Sequence, residues 1–458
     1  MTPRIALASL VMLLAWLLSG LFILEISLHA LLLTALAALA LLGKSLGVRG
    51  AALRQGMFKG VQEAIPALAI FLMIGVLMAS FMLSGTVASL LYYGLKLLTP
   101  SLFVPATLVL TALMASATGT SWGTVATLGF ALVGLGELMG MPSTLVAGAA
   151  ISGASFGDKM SPISDTTNLA ALSTQTDLYR HIHSMALTTG PALLIAALVF
   201  AFLGSDYGAE SQPLAAMTAL ENALRSQFDV SWLTLTPIAL MIYLAVKRVP
   251  AEVTMLMTSL FALVLAITLQ DVSLTKAMNA VYEGATFATG DANLDRLLSR
   301  GGMASMAWTL TLALIAVAMG GVLQALGLFE ALISGLLSKI QSRGALVSAS
   351  TLGATMGNAM LTEPYIVIIL TGQLFKSAFT NVRVDSELLS RSIEEGSTLT
   401  AALIPWTTTG IFYAATLDLA VTDYAPYAIL NWLNPLLGIA FAWLGWGIIV
   451  SRSESTDL

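Results

Sequence analysis

Two carboxylates, one ammonium, a proline and five hydroxyl side chains lie within Gly153 to Ala170, GASFGDKMSPISDTTNLA, between apolar runs. A charge at bilayer depth costs at least ~2.5–3.5 kcal/mol on insertion scales, so Asp158, Lys159 and Asp165 call for a compensating role or partner. Gly157 and Pro162 are expected to break a helix there, which frees backbone carbonyls and amides to line a site. A sodium ion wants several hard oxygen donors, and this stretch offers Asp158, Ser161, Ser164, Asp165, Thr166, Thr167 and Asn168. Three further interruptions add Thr118, Thr120 and Ser121, then Asn358, Thr362 and Glu363, and finally Thr398 and Thr407 to Thr409, Thr408 among them. Asp165 and Asp158 are the carboxylates expected to meet Na+, and Asp165, with no lysine adjoining it as Lys159 adjoins Asp158, has the freer charge to compensate a bound cation. No cluster of His or Cys favours a transition metal.

Each of these residues also has a plainer reading. Asp158 beside Lys159 can be a buried ion pair that offsets its own desolvation. Asp165 in SDTTN can cap a helix beginning at Thr166, which is compatible with ligation. Glu363, just before Pro364, can mark a helix start. His181 and His183 read as solvated or lipid-facing residues of a loop near the inner surface, and Glu394 and Glu395 as residues facing the cytoplasm. The Trp-rich and Met-rich stretches read as interfacial anchors and membrane packing.

The elements that must position these groups are membrane helices. Of 458 residues 57% are hydrophobic and 10% charged, and the mean hydropathy is +0.88, outside the range of ordinary soluble domains. Apolar runs recur at Ile5 to Leu24, Leu28 to Leu42, Ile65 to Leu83, Met185 to Leu203, Met303 to Leu323 and Ile429 to Val450, and strand alternation is absent. The first run is expected to be a retained span, since no convincing cleavage site follows it. There is no cysteine, and the net charge of -5 belongs to loops and carries no nucleic-acid inference.

Leu102 to Leu138 would measure about 55 Å as one helix, nearly twice the hydrocarbon thickness, so it is expected to fold back at Thr118 to Gly123 as a re-entrant hairpin. The broken span around residues 157–166 follows it. The second half repeats the order: a surface helix at Phe329 to Ile340 matches that at Thr86 to Leu98, Ala345 to Phe375 breaks at 356–364, and Leu388 to Leu417 breaks at 394–398 and 405–409. The reading is an all-α polytopic protein of about ten crossings, built from two inverted-topology repeats, each with a re-entrant hairpin and a broken transmembrane helix. Residues 1–204 form the first repeat, with scaffold helices in 1–100 and hairpin and broken helix in 101–176. An external linker, 205–231, follows. The second repeat, 232–458, has scaffold helices in 232–343, hairpin and broken helix in 344–417 and a last helix at 428–450. With the N-terminus inside, fourteen Lys and Arg residues fall on the cytoplasmic side, among them Arg54, Lys59, Arg180, Arg248, Lys339, Arg383 and Arg452, against five outside, Lys96, Arg225, Lys276, Arg296 and Arg300. Paired interrupted segments in two halves are the pattern of secondary transporters.

GTSWGT and GDKMSPISDTTNLA, with GNAMLTEP and EEGSTLTAALIPWTT downstream, resemble the NhaC family of bacterial Na+/H+ antiporters, in the larger ion-transporter superfamily, over about Leu53 to Trp443. The resemblance implies a transporter of the bacterial inner membrane, both termini cytoplasmic, with a moving domain built from the hairpins and broken helices. The expected activity is exchange of Na+ for H+, these being cargo, with no cofactor. Related members exchange malate and lactate or carry amino acids, so the alternative is a Na+- or H+-coupled carrier of a small organic acid or amino acid, with Asn358, Thr120 and helix N-termini holding the anion. A channel suits interrupted repeats less well, and no nucleophile-base pair or cofactor motif suggests an enzyme. Membrane lipids are the remaining expected partner, and a homodimer is an open assembly.

Overall fold

In lipid every backbone polar group must be satisfied within its own segment, and without strand alternation this leaves the α-helix. Every regular element among the described residues is helical. The computed structural model describes residues 2–97, 100–209, 214–289, 294–295, 298–337, 340, 342–382 and 384–446. Eight helices among them are long and apolar enough to cross a membrane, or nine if Val421–Tyr427 and Ile429–Leu444, bent by 57°, count as one span. The chain is an all-α polytopic membrane protein. Two of the eight, Pro100–Thr118 and Ser121–Leu138, are the arms expected to form a re-entrant hairpin, whereas the count of about ten leaves these out and includes the two broken helices and 232–246, where the structure has a shorter apolar helix, Leu233–Val246. Lys339, Arg383, Arg296 and Arg452, Glu210 of the linker, and the end of the last span at Val450 lie outside the described residues.

Helices α1 (Pro3–Phe22) and α2 (Leu28–Ser45) come first, and α3 (Gly50–Glu63) is separated from α4 (Ile65–Leu83) by Ala64 alone. The short α5 (Thr86–Leu97) precedes the first hairpin: α6 (Pro100–Thr118), then a return arm of α7 (Ser121–Thr124), a π-helical turn (Val125–Gly129) and α8 (Phe130–Leu138). The first broken helix is α9 (Ser143–Met160) and α10 (Asp165–Thr174), and α11 (Leu178–Ala209) follows. After α12 (Leu214–Gln227) the order recurs as α13 (Thr236–Val246), α14 (Ala251–Leu269), α15 (Leu274–Glu283), α16 (Ala307–Ala325) and α17 (Leu328–Leu337). The second hairpin is α18 (Arg343–Leu361) and α19 (Pro364–Asn381). The second broken helix is α20 (Ser386–Gly396), α21 (Thr398–Ala401) and α22 (Thr408–Leu417), and α23 (Val421–Tyr424) and α24 (Ile429–Leu444) end the described chain.

The two halves pack reciprocally: α2 and α3 lie on α16, while α14 and α15 lie on α4. Lipid gives helices no hydrophobic drive toward one another, so small residues that let backbones approach hold such contacts. At Gly60 a Cβ would lie 2.3 Å from the Val317 carbonyl oxygen, a separation that only glycine tolerates. Arg54 and Lys59, expected in a loop, therefore belong to a helix, and Lys59 pairs with Glu63 one turn on at 3.5 Å. Longer-range contacts join segments that the sequence reading puts on the same side. Lys96 meets Glu221 at 3.7 Å and Arg300 meets Asp418 at 3.0 Å, while Arg180 pairs with Glu387 and Lys376 with Gln175 at the other end.

Candidate functional site

The first hairpin reaches the first broken helix through two glycines of α9. A Cβ on Gly153 would stand 2.1 Å from the Leu108 carbonyl oxygen, and one on Gly157 2.3 Å from that of Ala112, so α6 lies directly along α9. Gly157 was expected to break the helix; instead α9 continues through it to Met160, and the break is 161–164, around Pro162. Gly119, at φ +69, turns the hairpin tip. Thr120 then caps the return arm by accepting from the Gly123 amide at 3.3 Å, as Thr407 caps α22 by accepting from Gly410 at 3.0 Å.

This packing carries Ser121 onto Asp158. One carboxylate oxygen accepts from the Ser121 amide at 3.1 Å and the Ser121 hydroxyl at 2.6 Å, and the other from the Ser164 hydroxyl at 2.6 Å. Asp158 is 7% exposed and lies on a cavity of about 790 Å³ where all four interruptions contribute walls. Thr118, Thr120 and Ser121 come from the first tip, Asp158, Asp165, Thr166 and Asn168 from the first broken helix, Glu363 from the second tip, and Thr398 and Thr409 from the second broken helix. Asp165 is exposed toward the mouth, as the first residue of α10. The cap position before it belongs to Ser164, without a side-chain capping bond, so Asp165 does not cap a helix starting at Thr166. Asn168 ties the break together, donating to the carbonyls of Pro162 and Ser164 at 3.0 and 2.7 Å.

Six expected residues, Ser161, Thr167, Asn358, Thr362, Thr407 and Thr408, do not line the cavity. Ser161 donates to the Ser116 carbonyl at 2.9 Å. Thr167 reaches the Lys159 carbonyl at 3.0 Å and Glu394 at 3.3 Å. Asn358 donates to the Ser397 carbonyl at 2.7 Å, and the Thr408 amide to the Thr362 carbonyl at 2.9 Å, which joins tip and broken helix in the second half. The second helix continues through 394–398 to Ala401 with only Ser397 off the helical pattern, so its break is 402–407.

Behind the cavity lies a fully buried charge network. Lys159 forms no pair with Asp158. Its ammonium lies 3.7 Å from Glu395 and 3.4 Å from the Asn434 amide oxygen. Glu395 also accepts from the Thr188 hydroxyl at 2.5 Å and from Asn434 at 3.1 Å, and faces Arg391 at 3.9 Å. Glu394 meets His181 at 3.1 Å, whose other ring nitrogen meets Ser390 at 2.7 Å. His181, Glu394 and Glu395 are all 0% exposed, so the readings that placed them in a loop or facing the cytoplasm are corrected. The apolar core cannot hold such charges singly, and each helix brings the partner another lacks.

A profile of the Na+/H+ antiporter family matches residues 1–167 and 153–446. The Na+/H+ antiporter NhaC of Alkalihalophilus pseudofirmus is 36% identical over 95% of this chain and 94% of its own length. The malate-2H+/Na+-lactate antiporter of Bacillus subtilis is 33% identical over 88% and 86%, and the arginine/ornithine antiporter ArcD of Halobacterium salinarum 32% over 87% and 84%. The chain belongs to the Na+/H+ antiporter family. Membership makes it a transporter, and the NhaC resemblance of its motifs holds.

In this antiporter-family chain the cavity has lining residues that sequence reasoning missed. Glu63, Arg248 and Glu252 stand at its mouth, and Tyr365 follows Pro364. Five carboxylates thus line it, Glu63, Asp158, Asp165, Glu252 and Glu363, against Arg248 as the one Lys or Arg among the described lining residues. They are spread out: no three His, Asp or Glu side chains among the described residues gather to hold a metal ion. Trp122, placed at the hairpin tip by the sequence but given no role there, lines the cavity and stacks on Phe412 at 4.7 Å and Phe71 at 5.5 Å. Its place between polar tip residues in GTSWGT was the available signal.

Proposed function

We propose that the chain is a secondary active transporter that exchanges Na+ for H+ across the bacterial cytoplasmic membrane by alternating access, with the exchange taking place at Asp158. The observation that carries this is the cavity at the meeting of four helix breaks, lined by five carboxylates and one arginine, since such a lining attracts cations and repels anions. Ser121 and Ser164 each donate a hydrogen bond to Asp158 and keep oxygen lone pairs for a cation beside it. One carboxylate holds Na+ or a proton but not both, so release of one admits the other. Asp165, exposed toward the mouth, supplies a second negative charge on the way in. Sequence alone favoured Asp165 as the coupling group because Lys159 adjoins Asp158, and the turn of Lys159 toward Glu395 removes that reason.

The reciprocal packing of the halves supports two inverted repeats. The cavity mouth, with Glu63 and Arg248, then faces the cytoplasm on the Lys/Arg bias. Since the chain has no cysteine, single cysteines report the topology: those replacing Arg54 and Arg248 are expected to react only from the cytoplasm and one replacing the exposed Asp418 only from outside. The reverse pattern would overturn the orientation.

A second reading has one observation in its favour. A cavity of about 790 Å³ far exceeds a sodium ion, and its acidic lining suits a cationic amino acid better than malate or lactate. Purified protein in liposomes separates the readings. Na+-driven proton movement without organic substrate is the expected result; movement that appears only with added arginine or ornithine would establish the second reading.

A further inference from the structure

The two hairpin tips leave their carboxylates in different states. Asp158, held by the first tip, accepts three hydrogen bonds. Glu363, in the second tip, is 1% exposed and lines the same cavity, yet neither of its oxygens accepts one among the described residues. The Thr408 hydroxyl and the Tyr365 amide face it without closing a bond. Glu363 occupies the cap position of α19, an 18-residue helix, whose N-terminus contributes roughly half a positive charge. That offsets part of one carboxylate. Arg248, the basic side chain on the cavity, is exposed at the mouth. A desolvated carboxylate so placed takes up either a proton or positive charge from an occupant.

Two buried oxygens of the same tip, on residues that do not themselves line the cavity, point the same way. The Thr362 hydroxyl and the Asn358 amide oxygen, both on residues 0% exposed, have no hydrogen-bond partner among the described residues. Asn358 is one helical turn before Thr362, whose amide donates to the Asn358 carbonyl at 3.0 Å. Its side-chain nitrogen is anchored on Ser397 and Thr400 at 2.7 and 3.0 Å, which fixes the amide group. The second tip is thus rich in buried oxygen acceptors and poor in donors, a chemistry that suits a hard monovalent cation. We propose that Glu363 forms a second Na+ site, separate from that at Asp158, with Thr362 as its neighbouring neutral oxygen, so that the chain binds two Na+ at once.

This inference rests on the Na+ reading of the cavity, and equilibrium binding of radioactive Na+ to the purified full chain distinguishes the two. The wild type is expected to bind two Na+ per chain, Glu363→Gln one, Asp158→Asn one, and the double variant none. A wild type that binds one Na+, or a Glu363→Gln protein with unchanged stoichiometry and affinity, overturns the second site while leaving the first. A wild type that binds no Na+ overturns the cargo reading itself. Should Glu363→Gln fail to purify as a monodisperse protein, Thr362→Val removes one oxygen at nearly constant shape. It is expected to weaken one of the two sites about tenfold, and two unchanged affinities would overturn the proposal.

Discussion

Asp158 and Lys159 are neighbours in sequence and belong to two different machines. A single step along a helix turns the side chain by about 100°, and here it separates a carboxylate held by rotatable hydroxyls on a cavity from an ammonium locked among Glu395, Arg391 and Asn434. The difference teaches how one helix end serves transport and rigidity together. A group that must accept and release an ion is best held by neutral donors, because a fixed cation beside it would compete with the cargo. A group that must tie four helices together is best met by fixed opposite charge. Lys159 on α9, Glu395 on α20, Thr188 on α11 and Asn434 on α24 do that.

The largest expected effect is on the locked side. Lys159→Met leaves Glu395 with Arg391, at 3.9 Å, as its remaining cation in a fully buried setting, and removing one partner of a buried pair costs about 3–5 kcal/mol. A steep fall in the apparent melting temperature of the purified protein is expected, with part of the loss recovered in Lys159→Met/Glu395→Met. If Lys159→Met melts normally and changes Na+ affinity instead, the division between the two faces is wrong.

That division was not legible in the sequence, and the reason is geometric. Charges were read by adjacency, yet residues i and i+1 on a helix do not face each other, and the true partners of Lys159 and His181 lie more than two hundred residues away. Glu394 and Glu395 were sent to the cytoplasm because charge alone suggested water. Arg54 and Lys59 likewise served to orient a loop, although GAALRQGMFKGVQE is helical throughout. What the sequence did reveal were features with local causes. The tip within Thr118 to Gly123, residues 362–363 at the end of the break expected over 356–364, and the break at Pro162 follow from glycine, proline and hydroxyl residues inside apolar runs, and the interruption of Leu102 to Leu138 follows from its length, whereas 356–361 remain helical. Gly157 was located but misread, because a glycine that permits close packing and one that ends a helix look alike in sequence.

A smaller effect sharpens the cavity side. Asp165 is exposed, and exposed charge interactions contribute about 0.2–1 kcal/mol. Asp165→Asn is therefore expected to raise the Na+ concentration for half-maximal transport only a few-fold, with the maximal rate and melting temperature unchanged. Complete loss of transport would instead make Asp165 the coupling group and move the centre of the site toward the mouth.

The most direct test of the account is Asp158→Asn in liposomes. Asparagine keeps the shape, and its carbonyl can take the Ser121 amide while its NH2 group donates to the Ser164 hydroxyl, so the tip and broken helix are expected to stay joined and the melting temperature to stay near that of the wild type. The exchangeable charge is gone, and Na+-driven proton movement is expected to fall to the level of protein-free liposomes. Wild-type exchange by a folded Asp158→Asn protein would contradict the claim that Na+ and H+ take turns at this carboxylate.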